Sequence, residues 1–242
     1  MSLLQTLVLA LTQGITEFLP ISSDGHLNLI QHLFGFSPSL TFDVFLHLAT
    51  FFSVLFFFRK KIPYFISNLK YIIVGSIPVI IAGFFFKDQI STLAEYPKFL
   101  PLFFLFTSIY TIATKFIKKQ DKKITYLTAI IIGIFQAVAI LPGVSRSGGT
   151  IFAALLLGLS SLNAFNFSFS LFIPASAGAI FLEAKDILTP SILTTNNIIA
   201  FVFAFFIGLL ALKFLEKVLS GNKFWYFGIY TILLAILLFF VL

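Results

Sequence analysis

The sequence predicts an all-α polytopic membrane protein, with six spanning helices and two re-entrant helical hairpins arranged as an inverted-topology repeat. Three observations predict it. Hydrophobic residues make up 59% of the chain and charged residues 10%, against roughly a quarter charged in soluble domains. Stretches such as Val44–Phe58, Tyr71–Phe86, Phe99–Ile112 and Ile198–Leu212 carry no formal charge, and each reaches the ~20 residues of a spanning helix once its flanks are counted. Two Pro-, Ser- and Gly-containing stretches, FLPISSDG and LPGVSRSGG, interrupt the apolar sequence where no continuous helix would run.

Taken in order, the first segment, 2–13, contains no Lys or Arg. It lacks the positive flank of a cleavable signal peptide and is expected to stay. Together with 25–35 it brackets FLPISSDG. A helix of about 12 residues rises only ~18 Å against ~30 Å of hydrocarbon, so the pair reads as a hairpin that enters and leaves by one face. Such broken backbone is tolerated where protein or a water-filled cavity satisfies it. Segments 41–58, 70–87 and 98–118 are long enough to span. Segments 124–140 and 147–158 form the second short pair, around LPGVSRSGG, and 162–182, 196–218 and 223–241 supply three more spans. The 35 Phe residues read as lipid-facing bulk.

The halves match loosely in residues as well as in pattern. Gln13, Leu19, Pro20, Ser22 and Ser23 have counterparts in Gln136, Leu141, Pro142, Ser145 and Ser147. Three spans per half is an odd number, so the repeats, about 1–118 and 124–242 of a single domain 1–242, must be inverted relative to each other. Arg59, Lys60, Lys61, Lys70, Lys115, Lys118, Lys119, Lys122, Lys123, Lys213, Lys217 and Lys223 fall on one side, and Lys87, Lys98 and Lys185 on the other. The positive-inside rule assigns the first side to the cytoplasm. The first hairpin and both termini then open outward, and the second hairpin enters from the cytoplasm. The KFIKKQDKK run joining the halves is a cytoplasmic loop and not a nucleic-acid patch, and the formal charge of +7 has the same topological origin. With no Cys in the chain, disulfides, thiolate metal sites and Cys nucleophiles are excluded.

Chemistry concentrates at the two interruptions. Arg146 is the one basic residue inside an apolar segment, and burying it costs about 2.5–3.5 kcal/mol even on a lenient insertion scale. It needs an anionic partner. Glu17 across the repeat interface would make a structural ion pair; a phosphate would make Arg146 an oxyanion clamp, which guanidinium suits by its bidentate geometry. The surroundings favour the clamp, because Ser145, Ser147 and Gly148 offer hydroxyls and backbone N–H groups where a half-helix starts, itself an anion site. Ser22, Ser23 and Asp24 are candidate caps for the other half-helix. His26 is an intramembrane histidine beside the Ser pair, so Glu17, Ser23 and His26 together supply a carboxylate, a nucleophile and a proton-transfer group. His32 and His47 are read as structural, with Asp43 as an outlying possibility.

These residues carry a resemblance. QGITEFLPISSDGHL (13–27) and LPGVSRSGGT (141–150), in this order and with TFDVFLHLAT and GIFQAVAILPG between them, resemble the two motifs of the BacA-type undecaprenyl-diphosphatase family, over the whole chain. The resemblance implies hydrolysis of undecaprenyl diphosphate to undecaprenyl phosphate, recycling a lipid carrier for cell-wall synthesis and conferring bacitracin resistance. It further implies a divalent cation, Mg2+ or Ca2+, and a site on the outer face of the bacterial cytoplasmic membrane. Matched position by position, Glu17, Ser23, His26 and Arg146 are the catalytic set, with Ser22, Gly25, Ser145, Arg146, Ser147 and Gly148 binding substrate. One departure matters. The first motif position, often Glu in the family, is Gln13, which removes a charge from any two-carboxylate metal site and leaves Glu17 as the main ligand. Asp24, where the family usually has Thr or Ser, offers a replacement acid.

The alternative is a secondary transporter or flippase for a phosphorylated lipid or other anion, since inverted repeats with midplane half-helices serve transport. A transporter would place a coupling acid in both repeats. Here the carboxylate and imidazole lie in the first and the guanidinium in the second, which favours a hydrolase. Acid-phosphatase-type lipid phosphatases would need separated histidines and a basic motif that the sequence does not contain. The lipid bilayer and the lipid diphosphate are the expected partners, with no nucleic acid, and a homodimer is left open.

Overall fold

The computed structural model describes residues 1–36, 39–86, 89, 92–93, 96–118, 120–187 and 189–242, the side chain of residue 186 excepted. Among them the chain forms ten helices of 11 residues or more and no strand. These are α1 (Leu3–Thr16), α2 (Ser23–Leu33), α3 (Leu40–Phe58), α4 (Ile62–Phe85), α5 (Leu100–Ala113), α6 (Tyr126–Val138), α7 (Arg146–Leu156), α8 (Ser161–Leu182), α9 (Thr195–Ser220) and α10 (Tyr226–Val241). Each expected segment has its helix. Five stretches are long and apolar enough to cross a membrane: α3, α4, α5 with its 3-10 extensions (Pro97–Phe116), α8 and α9. The chain is therefore a multi-pass membrane protein by length and composition. α10, expected as a sixth span, has 16 residues and rises about 24 Å.

Caps explain the boundaries. Ser2 with Gln5 forms a capping box on α1, Thr125 with Thr128 does so on α6, and Ser22, Ser39, Ser145 and Thr194 cap α2, α3, α7 and α9 through their hydroxyls. The largest difference from expectation is the start of α4, at Ile62 and not at residue 70. Pro63 sits in its first turn, where the missing N–H costs nothing. Lys70 was read as a boundary but is simply a charge on a continuing helix. Lys87 and Lys119, two of the charges that orient the chain, lie outside the described residues.

The two interruptions meet at the centre. α1 packs mainly on α9 and α6 on α4; α3 contacts α9 as α8 contacts α4; α5 pairs with α10 and α3 with α8. Tight helix pairs use small residues. A Cβ on Gly14 would lie 2.7 Å from the Ile207 side chain on α9, and one on Gly133 would run into the Gly75 carbonyl on α4. Gly133→Ala should therefore force α4 and α6 apart and lower stability by about 1–3 kcal/mol. A detergent melt unchanged by this substitution would show that the two helices separate freely.

Phenylalanine has two roles, where the sequence suggested one. Phe84, Phe239 and Phe240 are exposed on the outside, but Phe18, Phe58, Phe165, Phe169 and Phe172 form a buried cluster with ring centroids 5.5–6.2 Å apart in pairs such as Phe18–Phe172 and Phe58–Phe165. Phe18 follows Glu17 directly, so this cluster anchors the first interruption at its chemically loaded end.

Candidate active site

The first interruption is shaped by Ser22. Its backbone takes φ of 69°, a region that non-glycine residues enter rarely and usually where surrounding structure imposes it. Its hydroxyl accepts from the Gly25 N–H at 3.4 Å within α2 and from the Gly143 N–H at 3.1 Å across the chain. Of the three candidate caps, Ser22 is the one used. Ser23 is thereby left free, and its hydroxyl donates to Glu17 Oε2 at 2.6 Å.

The second interruption is held from α5. Thr107 Oγ1 donates to the Gly143 carbonyl at 2.9 Å and accepts from the Ser145 N–H at 3.0 Å, while the Tyr110 hydroxyl donates to the Ser145 carbonyl at 2.9 Å. Ser145 caps α7 by accepting from the Gly148 N–H at 3.2 Å. This arrangement aims Arg146, the first residue of α7, at Glu17, and the two side chains form an ion pair through Nη2 and Oε1. The guanidinium carbon also lies 3.9 Å from the centre of the Phe172 ring.

The two interruptions touch directly. Ser147 Oγ donates to the Leu19 carbonyl at 3.2 Å. A Cβ on Gly25 would come within 3.0 Å of Gly143 Cα, and one on Gly148 within 3.1 Å of the Pro20 side chain. Gly25, Ser147 and Gly148, expected to hold substrate, are thus placed where they bring the two interruptions together.

A cavity of about 520 Å³ opens beside this junction. Glu17, Ser22, Ser23, Asp24, Ser145 and Arg146 line it, with His47, Asp43 and Gln31 from the first half and Gln136 from the second. Its remaining wall is mostly apolar: Val44, Val79, Ala139, Ile140, Ala175 and Ile180. The volume lies in the range of small-molecule sites. Elements reach it by the N-terminal part of α3 and the C-terminal parts of α4 and α8, so it faces away from the Arg59–Lys61 end of α3.

His26 is placed elsewhere. It is not among the cavity-lining residues; its Nδ1 donates to the Ser22 carbonyl at 2.7 Å, which leaves Nε2 to accept from the Tyr230 hydroxyl at 2.8 Å, and its ring stacks on Tyr230. The imidazole that does reach the carboxylate is His47, read from sequence as structural. Its Nδ1 is 3.3 Å from Glu17 Oε2 and 2.8 Å from Gln13 Nε2, and its Nε2 is 3.1 Å from Asp24 Oδ1. The rule that marked His26, an uncommon imidazole in an apolar span, applied equally to His47 inside 41–58.

The donor set argues against a cation site built by the protein. Glu17 Oε1 is taken by Arg146, and Oε2 receives Ser23, Gln13 Nε2 at 3.1 Å and His47. Gln13 turns N–H groups, not its carbonyl, toward Glu17, and Asp24 pairs with His47 instead of supplying the missing acid. Among the described residues no three His, Asp or Glu side chains gather as metal ligands. A guanidinium and amide donors around one carboxylate suit an anion and oppose a cation.

Comparison with known proteins gives a consistent picture. A family model described as "Bacitracin resistance protein BacA" matches residues 6–237. Among curated relatives, a protein of Thermosipho africanus is 40% identical over 97% of this chain and 98% of its own length. One of Methanococcus vannielii is 38% identical over 98% and 99%, and one of Treponema denticola 37% over 98% and 96%. All three carry the name undecaprenyl-diphosphatase.

Proposed function

The chain belongs to the BacA family, and from that membership and the site we infer that it is a membrane phosphatase that hydrolyses undecaprenyl diphosphate to undecaprenyl phosphate and inorganic phosphate. Recycling of the lipid carrier for the cell wall, and with it bacitracin resistance, follows from that activity. One observation carries the reading at the level of chemistry: Ser23, Glu17 and Arg146, from two interruptions more than a hundred residues apart, are joined in series at the wall of one cavity.

In the proposed mechanism Arg146 keeps Glu17 ionised through Nη2 and turns its other N–H groups to the terminal phosphate. Ser23 Oγ attacks the terminal phosphorus, and its proton passes to Glu17 Oε2 along the existing 2.6 Å hydrogen bond. The bond from phosphorus to the bridging oxygen breaks, and undecaprenyl phosphate leaves with that oxygen. Water then attacks the phosphoserine; as the bond from phosphorus to Ser23 Oγ breaks, Glu17 returns the proton it holds to Oγ, and inorganic phosphate departs carrying the protons of the water. Asp24 and His47 hold Glu17 in line. His26, through Ser22 and Tyr230, positions the cap that frees Ser23. A divalent cation would be carried in with the diphosphate, where it would neutralise phosphate charge, and not by a preformed protein site.

The re-entrant, inverted arrangement belongs to the same proposal. The paired contacts α1–α9 with α6–α4, and α3–α9 with α8–α4, support two related halves, with α10 as the sixth span. Since the cavity faces away from the basic α3 end, the positive-inside rule supports an opening to the outer face of the bacterial cytoplasmic membrane.

The test is phosphate release by the purified protein from C55 diphosphate and from a soluble diphosphate, with and without chelator. Release from the lipid substrate well above that from the soluble one is expected. No release from the lipid under any added metal would favour the transporter.

A further inference from the structure

Gln136 and Gln13 are the matching glutamines of the two halves, yet their side chains are treated differently. Gln13 Nε2 donates to Glu17 Oε2 and Thr50 Oγ1, while its Oε1 has no partner among the described residues. Gln136 is 1% exposed, and neither its Nε2 nor its Oε1 has a hydrogen-bond partner among the described residues. A buried amide with both ends unpaired is a costly choice that calls for an explanation. The residue also lines the cavity that holds Glu17, Ser23 and Arg146, as do the apolar Val79, Ala139 and Ile140.

Resting on the hydrolase reading above, we propose that the Gln136 amide binds the lipid-linked phosphate, its Nε2–H donating to an oxygen of the phosphate that stays on the isoprenoid. The terminal phosphorus must lie at Ser23, beside Glu17 and Arg146. Gln136 hydrogen-bonds none of those three side chains, and Ala139 and Ile140, three and four residues further along the chain, line the same cavity. A neutral donor there holds the one phosphate common to substrate and product without adding a charge that would retain the product. An apolar side chain of similar volume would give up no hydrogen bond to the described residues, because the amide makes none with them.

The experiment compares wild type with Gln136→Leu and Gln136→Met in detergent. KM for C55 diphosphate should rise about tenfold in both variants, with kcat within about threefold. Inhibition by undecaprenyl phosphate should weaken by the same factor while inhibition by inorganic phosphate is unchanged, and the melting temperature should not fall. The thermal shift that undecaprenyl phosphate gives wild type should shrink in the variants, a readout that needs no turnover. Unchanged KM and unchanged product binding in an active enzyme would overturn the proposal, as would a lowered melting temperature or failure to fold in both variants. Wild type that binds undecaprenyl phosphate yet releases no phosphate would instead remove the hydrolase reading.

Discussion

Ser23→Ala should lower phosphate release from C55 diphosphate by on the order of 10³-fold, with little change in melting temperature. The side chain is buried but small, and its hydroxyl donates to Glu17 alone. Its removal leaves Glu17 Oε2 with Gln13 and His47, so the carboxylate is not orphaned. If water were the nucleophile, Glu17 would still be present to activate it, and the loss would stay within about tenfold. The same substitution thus separates the two mechanisms. Incubation with substrate labelled in the terminal phosphate should label wild type transiently on Ser23, and labelling that persists in Ser23→Ala would assign the nucleophile elsewhere.

The helices and the two interruptions between them were legible because apolar length and the Pro-Ser-Gly breaks are local properties of the chain. Arg146 was legible for a different reason: a charge inside an apolar segment demands a partner, and Glu17 was the available acid. Its structural pairing and its place on the cavity wall turn out to be compatible, since one guanidinium has donors for both. Choosing among Ser22, Ser23 and Asp24 was beyond the sequence, because the choice depends on a positive φ at Ser22 stabilised by Gly143 from the other half.

His47 and Gln136 were missed for a related reason. Each is a polar residue in a largely apolar helix, and its significance lies in what other elements bring beside it: Glu17 and Asp24 for His47, a cavity wall and no partner among the described residues for Gln136. His26 shows the converse. It lies three residues after Ser23, on the same side of a helix by periodicity, but in the first turn its ring finds the Ser22 carbonyl and the Tyr230 hydroxyl instead. Helical spacing puts residues on one face without saying which of their atoms are already committed.

Arg146→Lys should reduce kcat/KM by about 10²–10³-fold while keeping most of the stability. A lysine ammonium can still sit opposite Glu17, but as a point charge it cannot hold that carboxylate and a phosphate in the two fixed directions a guanidinium offers. Arg146→Ala is a different experiment. It leaves Oε1 of the Glu17 carboxylate, whose side chain is 2% exposed, without its guanidinium, and should cost about 3–5 kcal/mol in stability as well as all measurable activity. The double substitution Glu17→Gln with Arg146→Gln removes both charges of the pair together, so its melting temperature should recover most of what Arg146→Ala loses, with activity still absent. Stability that returns with the double substitution while turnover does not would separate the ion pair's part in the fold from its part in the reaction. Near-normal phosphate release from Arg146→Lys would mean that Glu17, and not the incoming phosphate, is the only anion Arg146 serves.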